Sequence, residues 1–253
     1  MSGDTKEQPN IFYTKEAPFL QAECLLNEGK VKSLYHMASE PENVYIHFHD
    51  KVTAGNGRKV DFPDGKGKVC CLISALLFEM LENRGIKTHY IDCPRLDTLL
   101  CKKLEIVPVE VVVRNIAAGS IVRQTMLQEG TILNPPLVEY YLKDDEKDDP
   151  LLTPDRVALM GIDPTQMREV ALDVNLQFQM LFTLIGIDLV DFKLEFGYDS
   201  HGNLLLGDEL SPDNMRLWKK GTKERFDKDL YRNDEGDIIE AYKYILTKLR
   251  QFV

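Results

Sequence analysis

Residues 187–197 read Ile187-Asp188-Leu189-Val190-Asp191-Phe192-Lys193-Leu194-Glu195-Phe196-Gly197. Successive side chains of a strand point to opposite faces. Val190, Phe192, Leu194 and Phe196 therefore share one face, and Asp191, Lys193 and Glu195 the other. The turn from Tyr198 to Asn203 leads into Leu204-Leu205-Leu206-Gly207-Asp208-Glu209, which reads as the hairpin partner. Such a strand belongs in a sheet with an apolar core on one side. An ordinary solvent-facing strand alternates in the same way, but two further carboxylates, Asp208 and Glu209, end the partner of this one.

Around this hairpin the chain mixes strands and helices. Short apolar-rich runs, Glu23 to Leu26, Val31 to Tyr35 and Val44 to Phe48, alternate with polar breaks and read as an antiparallel meander. Val69, Leu72, Ile73, Leu76, Leu77, Met80 and Leu81 recur at helical spacing and stop at Asn83-Arg84-Gly85. The β-branched run Ile106 to Val113, broken only by Pro108, reads as a strand passing from a first lobe into a second. Asp163-Pro164 caps and starts a helix whose apolar face runs from Met167 to Ile185 before Gly186. Another helix begins after Asp237. Without a strict strand–helix–strand rhythm the pattern predicts an α+β fold. The acidic stretch Asp144 to Asp149 reads as a solvated loop.

The 253 residues suffice for a real core, and a net charge of −10 gives no basic footprint for nucleic acid or an anionic membrane. Met1 to Asn10 is polar and carries Asp4 and Glu7, unlike a targeting peptide. The longest apolar run, Cys70 to Phe78, is too short to cross a bilayer. Five cysteines without metal-ligand spacing read as reduced thiols, so the expected compartment is the cytoplasm.

Carboxylates with a lysine between them on one hairpin face suit a magnesium–nucleotide site: hard oxygens for the ion and a cation for phosphate. Ser211-Pro212-Asp213 with Arg216 and Trp218 brings a hydroxyl, a carboxylate and a guanidinium to the same place, and arginine grips phosphate bidentately. Glu28-Gly29-Lys30-Val31-Lys32 joins two strands, and such a turn can close over phosphates. No phosphate-binding loop of the G-x-x-x-x-G-K-[ST] kind is present; Gly65-Lys66-Gly67-Lys68 reads as a helix entry. Small residues from Arg114 to Ser120 would let backbone approach a ligand.

These segments together resemble the SAICAR synthetase family, from about Phe19 to the C-terminus. Leu189 to Gly197, and Leu206 to Asp213 with Arg216 and Trp218, carry most of the likeness. Gly29-Lys30-x-Lys32, Asp50 with Thr53-Ala54-Gly55, Lys102 to Glu110 and Arg114 to Ser120 support it in order. Where the family usually has small residues after Asp213, this chain has Asn214-Met215.

The resemblance implies a two-lobed ATP-binding ligase fold with the active site between its lobes. A tail, 1–18, precedes a smaller antiparallel-β-rich lobe, 19–107, and a larger α+β lobe, 108–253. The implied reaction joins L-aspartate to the carboxylate of carboxyaminoimidazole ribonucleotide (CAIR), with ATP going to ADP and phosphate, in a monofunctional enzyme. By resemblance, Gly29, Lys30 and Lys32 cover the ATP phosphates, while Lys102 to Val107 present backbone to adenine. Glu195 and Asp208 hold Mg2+, and Lys193 bridges to phosphate oxygens. Arg114, Ser120, Ser211, Asp213, Arg216 and Arg232 bind CAIR, Asp191 orients its amine, and Lys143 and Asp149 close on substrate. A homo-oligomer, with a dimer favoured, is implied too, and neither nucleic acid nor membrane is an expected partner. A kinase that stops at phosphorylation and a non-catalytic nucleotide sensor are the rival readings.

Overall fold

A computed structural model describes residues 23–55 and 57–253; the expectation for the tail, 1–18, lies outside them. Strands β1 (Glu23–Glu28), β2 (Lys32–Met37) and β3 (Asn43–Phe48) form the expected meander. A short hairpin follows, β4 (Val52–Ala54) and β5 (Lys59–Asp61). Helix α1 (Lys66–Asn83) then leads to β6 (Tyr90–Arg95) and β7 (Thr98–Lys102). The meander and the last two strands make one antiparallel sheet in the order β1-β2-β3-β7-β6. On β3, Val44, Ile46 and Phe48 alternate into the core, as a period of two requires.

The start of α1 shows how sequence builds the frame. Gly65 takes φ +79°, and the Asp50 carboxylate accepts from the N–H groups of Gly65 at 2.8 Å and Gly67 at 2.7 Å. These donors at a helix entry would otherwise go unpaired. A Cβ on Gly67 would lie 2.4 Å from the Phe48 carbonyl oxygen, so only glycine lets the helix approach β3 this closely.

The second sheet is built on β8 (Glu105–Ile116), β9 (Ile132–Leu142), β10 (Leu151–Leu152), β11 (Ile187–Tyr198) and β12 (Leu204–Gly207), in the order β10-β9-β8-β11-β12. Strand β13 (Met215–Lys219) shares one edge of β11 with β12: it pairs with residues 187–192, and β12 with residues 195–198. The connecting loop, 208–214, therefore lies beside Lys193, whose N–H donates to the Asn214 carbonyl at 2.8 Å.

Between these strands run α2 (Ser120–Gln124), α3 (Pro154–Leu159) and α4 (Pro164–Leu184), with α5 (Asp229–Arg232) and α6 (Ile238–Leu249) at the end. The Asp163 side chain caps α4 by accepting from Thr165 and Gln166, and Asp237 caps α6 by accepting from Ile239 and Glu240. Asn175 on α4 exchanges hydrogen bonds with Asn115 on β8, which also donates to the Leu189 carbonyl, so α4 is pinned across two strands.

One apolar core runs through both sheets, from Val44 and Ile46 through Phe78, Val111, Phe178 and Phe192 to Tyr242 and Leu249. The sheets also join through backbone: His89 N–H donates to the Leu206 carbonyl at 2.8 Å, and Leu206 N–H to Lys87 at 3.2 Å. The α+β class stands. Strict alternation along β11 does not. A register shift between Leu189 and Asp191 breaks it, so Leu189 joins Phe192, Leu194 and Phe196 in the main core while Val190 packs against Ala118 and Trp218. Among the described residues no helix is long and apolar enough to cross a membrane.

Candidate active site

Cross-strand register sets the charges in rows. Asp191 lies opposite Arg114 on β8 and opposite Arg216 on β13. Its buried carboxylate accepts from Arg114 Nη1 at 2.8 Å and from Arg216 Nη1 at 2.8 and 3.1 Å. Burial pushes the Asp191 carboxyl upward, and the two guanidiniums oppose that push. Arg114 also reaches Glu139 at 2.6 Å, the Ser120 hydroxyl at 2.9 Å and the Tyr141 hydroxyl at 3.2 Å. Arg216 Nε donates to Asp229 at 2.8 Å, and Arg232 donates to the other oxygen of the same carboxylate at 2.5 Å. Gly119 takes φ +66°, and a Cβ there would lie 2.6 Å from Arg216 Nη2, so this glycine lets the backbone pass the guanidinium.

One row further along, Lys193 Nζ sits between Glu110 at 2.5 Å and Glu195 at 3.1 Å. Lys143 pairs with the second oxygen of Glu195. Lys32, on β2 of the other sheet, pairs with Asp208 and reaches Glu209 at 2.9 Å. Asp208 takes φ +59° where the chain turns out of β12. Burial alone would raise its pKa, but Lys32 and Lys193 outweigh it and hold the carboxyl well below the usual range. Burial would lower Lys193, and Glu195 and Glu110 outweigh it in turn. The centre therefore holds fixed charges of both signs at neutral pH.

Two cavities open on this centre. The first, about 280 Å3, lies between the sheets: Leu26, Leu34, Val44, Ile46, Leu104 and Ile106 make it apolar, and Lys32, Lys102, Lys143, Glu195 and Asp208 line its polar end. The second, about 300 Å3, is basic: Arg114, Lys193, Arg216, Lys228 and Arg232 line it, with Val112, the loop residues Asp213 and Asn214, and Met215 at the start of β13. An apolar slot that ends in ammonium groups suits a nucleotide base and its phosphates, and a pocket of guanidiniums suits a phosphorylated or carboxylated ligand.

The structure gathers most of the residues singled out in the sequence. Gly29, Lys32, Lys102, Lys143, Glu195 and Asp208 line the first cavity. Arg114, Lys193, Asp213, Arg216 and Arg232 line the second. Lys30 is exposed at the turn after β1. Val107 points into the core, while Leu104 and Ile106 from the same segment face the first cavity. Ser120 holds Arg114. Ser211 is fully buried, and its hydroxyl donates to Glu209 at 2.5 Å. Asp149 accepts from the N–H of Asp144 and so closes its own loop.

Several participants were not among the residues singled out in the sequence. Lys66, the first residue of α1, is 1% exposed and pairs with Asp213, which also accepts from Tyr242 at 2.7 Å. That contact spans 147 positions of chain. Lys228 lines the basic cavity, and burial depresses its pKa, with Arg232 and Lys66 adding to the effect against Asp213. The charged run Asp227-Lys228-Asp229 ahead of Arg232 was the available clue. Glu139, on the same face of β9 as Tyr141, was not distinguishable from a solvent-facing acid.

An apolar slot and an arginine-lined pocket that meet at carboxylates and lysines define a two-substrate enzyme for anionic ligands. The sequence model of the SAICAR synthetase family matches residues 25–249, and the chain belongs to that family. A relative from Methanocaldococcus jannaschii, named phosphoribosylaminoimidazole-succinocarboxamide synthase, is 46% identical over 88% of this chain and 93% of its own. One from Synechocystis, of the same name, is 47% identical over 87% and 86%. Among solved structures, a SAICAR synthetase in complex with ADP matches with TM-score 0.85 at 41% identity, over 88% of this chain and 96% of that one.

Proposed function

We propose that this chain joins L-aspartate to the carboxylate of CAIR, with ATP going to ADP and phosphate, as a step of purine synthesis. A carboxylate is a poor acyl donor because its oxygen is no leaving group at neutral pH. In the mechanism we put forward, a CAIR carboxylate oxygen attacks the γ-phosphorus of ATP and the bond to ADP breaks. The aspartate amine, as the free base, then attacks the acyl carbon, phosphate departs, the nitrogen sheds one proton and the secondary amide remains.

The observation that carries this reading is that Lys193 and Glu195, two residues apart on one strand and bonded at 3.1 Å, line different cavities. Adenine would occupy the apolar slot and its phosphates the end near Lys32. That a solved relative is in complex with ADP supports nucleotide binding as such; the apolar lining and the lysines at one end support this placement. Arg114, Arg216 and Arg232 would hold the imidazole nucleotide, with Asp191 beneath it. Both reacting groups would then meet at Lys193, and catalysis would come from position and fixed charge.

Mg2+ fits this donor set. Glu195 and Asp208 are carboxylates at the polar end of the nucleotide cavity, and magnesium sites commonly take one or two carboxylates with substrate phosphates completing the shell. The ion supplies charge neutralisation on the transferring phosphoryl group. The three-ligand cluster Cys70, Glu209 and Asp213 is a poorer candidate: Cys70 and Glu209 line neither cavity, and burial pushes the Cys70 thiol up, away from the thiolate form that binds a metal. We assign the nucleotide flap to the smaller lobe, 19–107, whose residues 19–22 lie outside the described ones, and the magnesium and CAIR sites to the larger lobe, 108–253, in a cytoplasmic, dimeric enzyme.

The test is product formation. CAIR, ATP, Mg2+ and L-aspartate together should yield the succinocarboxamide by mass spectrometry, and chelation of the metal should stop it. ADP release at the same rate without aspartate would refute the ligase reading.

A further inference from the structure

The chain buries a carboxylate that the proposed chemistry does not use and that no lysine or arginine pairs with among the described residues. Asp227, in the segment between β13 and α5, is 0% exposed. Burying a carboxylate without such a partner is costly. Its two oxygens are nevertheless both engaged. One accepts from the Leu217 N–H at 2.7 Å, the other from the Asp229 N–H at 2.7 Å.

Those two backbone sites adjoin the arginines of the basic cavity. Leu217 directly follows Arg216. Asp229 supplies the carboxylate that holds Arg216 Nε on one oxygen and Arg232 Nη1 on the other. A single buried group thus fixes the strand that carries one arginine and the helical turn that aims both. Asp227 lines neither cavity, so it acts through these neighbours.

We infer that Asp227 is a positioning residue for the nucleotide substrate, setting the spacing of Arg216 and Arg232 from beneath without touching the ligand. The inference rests on the proposed grip of those arginines on CAIR. The charged and titratable groups around Asp227 are Asp229 on α5, Arg216 on β13 and Tyr242 on α6. Burial and the neighbouring Asp229 push its carboxyl up to about 7. Protonation removes one acceptor from the pair of N–H groups, so the grip should loosen as pH falls through neutrality.

The experiment compares wild type with Asp227→Asn, measuring KM for CAIR and for ATP, and kcat, from pH 6 to 8.5. The amide keeps one acceptor oxygen and cannot ionise. The expected result at pH 8 is a rise of about tenfold in KM for CAIR, KM for ATP within about twofold of wild type, and kcat little changed, the pattern of a lost binding contact. Between pH 8 and 6 the KM for CAIR should rise more steeply in wild type than in the variant. An unchanged KM for CAIR, or equal rises in both KM values, would overturn the inference. Asp227→Glu, which keeps the charge and displaces it by one methylene, is the second variant should the first fail to fold, and it is read by the same criteria. Arg232→Ala separates the two layers of argument: if it leaves KM for CAIR unaltered, the arginine grip itself is wrong. If it raises KM and the Asp227 variants do not, only the positioning role falls.

Discussion

At Glu195 two demands meet in one side chain. It is 4% exposed, pairs with Lys143 and Lys193, and faces the nucleotide cavity. Glu195→Ala should cut magnesium-dependent turnover by more than about a hundredfold, the scale seen when a fixed charge at a reaction centre is lost. Its circular dichroism should match wild type; turnover within tenfold of wild type would refute the assignment. Asp227 gives a second prediction, in stability. Its carboxyl titrates near 7 in the fold, against about 4 in an unfolded chain. The native state then holds the extra proton between those values, so this group's contribution is lost as pH rises from about 4 to about 7. Wild-type Tm should fall relative to that of Asp227→Asn between pH 5 and 7.5; parallel curves would contradict it. Strand alternation alone found Asp191, Lys193 and Glu195, because period two is a local property of sequence. Asp227 was not legible, since a carboxylate that bonds only backbone N–H groups looks in sequence like any surface acid.

The elements themselves were mostly written in their ends. Asp163-Pro164 and Asp237 announce α4 and α6 by cap chemistry, and both helices begin there. The division of one β11 edge between β12 and β13 was not written anywhere, because no local pattern says where one partner stops and another takes over. Yet that division delivers Asp208 and Asp213 to the charged face. The Val190 error has the same origin: a bulge adds one residue and shifts every side chain beyond it. Close approach of elements gives a sharper test. Gly67→Ala places a Cβ against the Phe48 backbone, which cannot yield as a side chain can, and should cost about 1–3 kcal/mol of stability. Two positions away Gly65→Ala meets nothing within 4 Å and strains only its positive φ, with a cost near 1 kcal/mol. Urea denaturation of both variants measures the difference, and equal losses would mean that packing against β3 is looser than the fold requires.

For the molecule as a whole, the first helix, the loop 208–214 and the last helix converge on a single buried ion pair. Lys66 opens α1, Asp213 lies in the loop after β12, and Tyr242 belongs to α6. Removing Lys66 would leave Asp213 buried without an ion pair, held by the Tyr242 hydroxyl and the charge of nearby Lys228. Lys66→Ala should cost about 3–5 kcal/mol, the usual penalty for stranding a buried charge. A loss below 1 kcal/mol in denaturant titration would show that water replaces the lysine. The neighbouring cavities invite a different use. Alternate residues on a strand are only about 7 Å apart along its axis, and Lys193 and Glu195 are such a pair, each facing its own cavity. A short tether should therefore let one compound fill both. Once its adenosine end is docked, the imidazole ribonucleotide end would find its pocket at millimolar effective concentration. Such a compound should bind at least about a hundredfold more tightly than either half alone, with calorimetry as the measure.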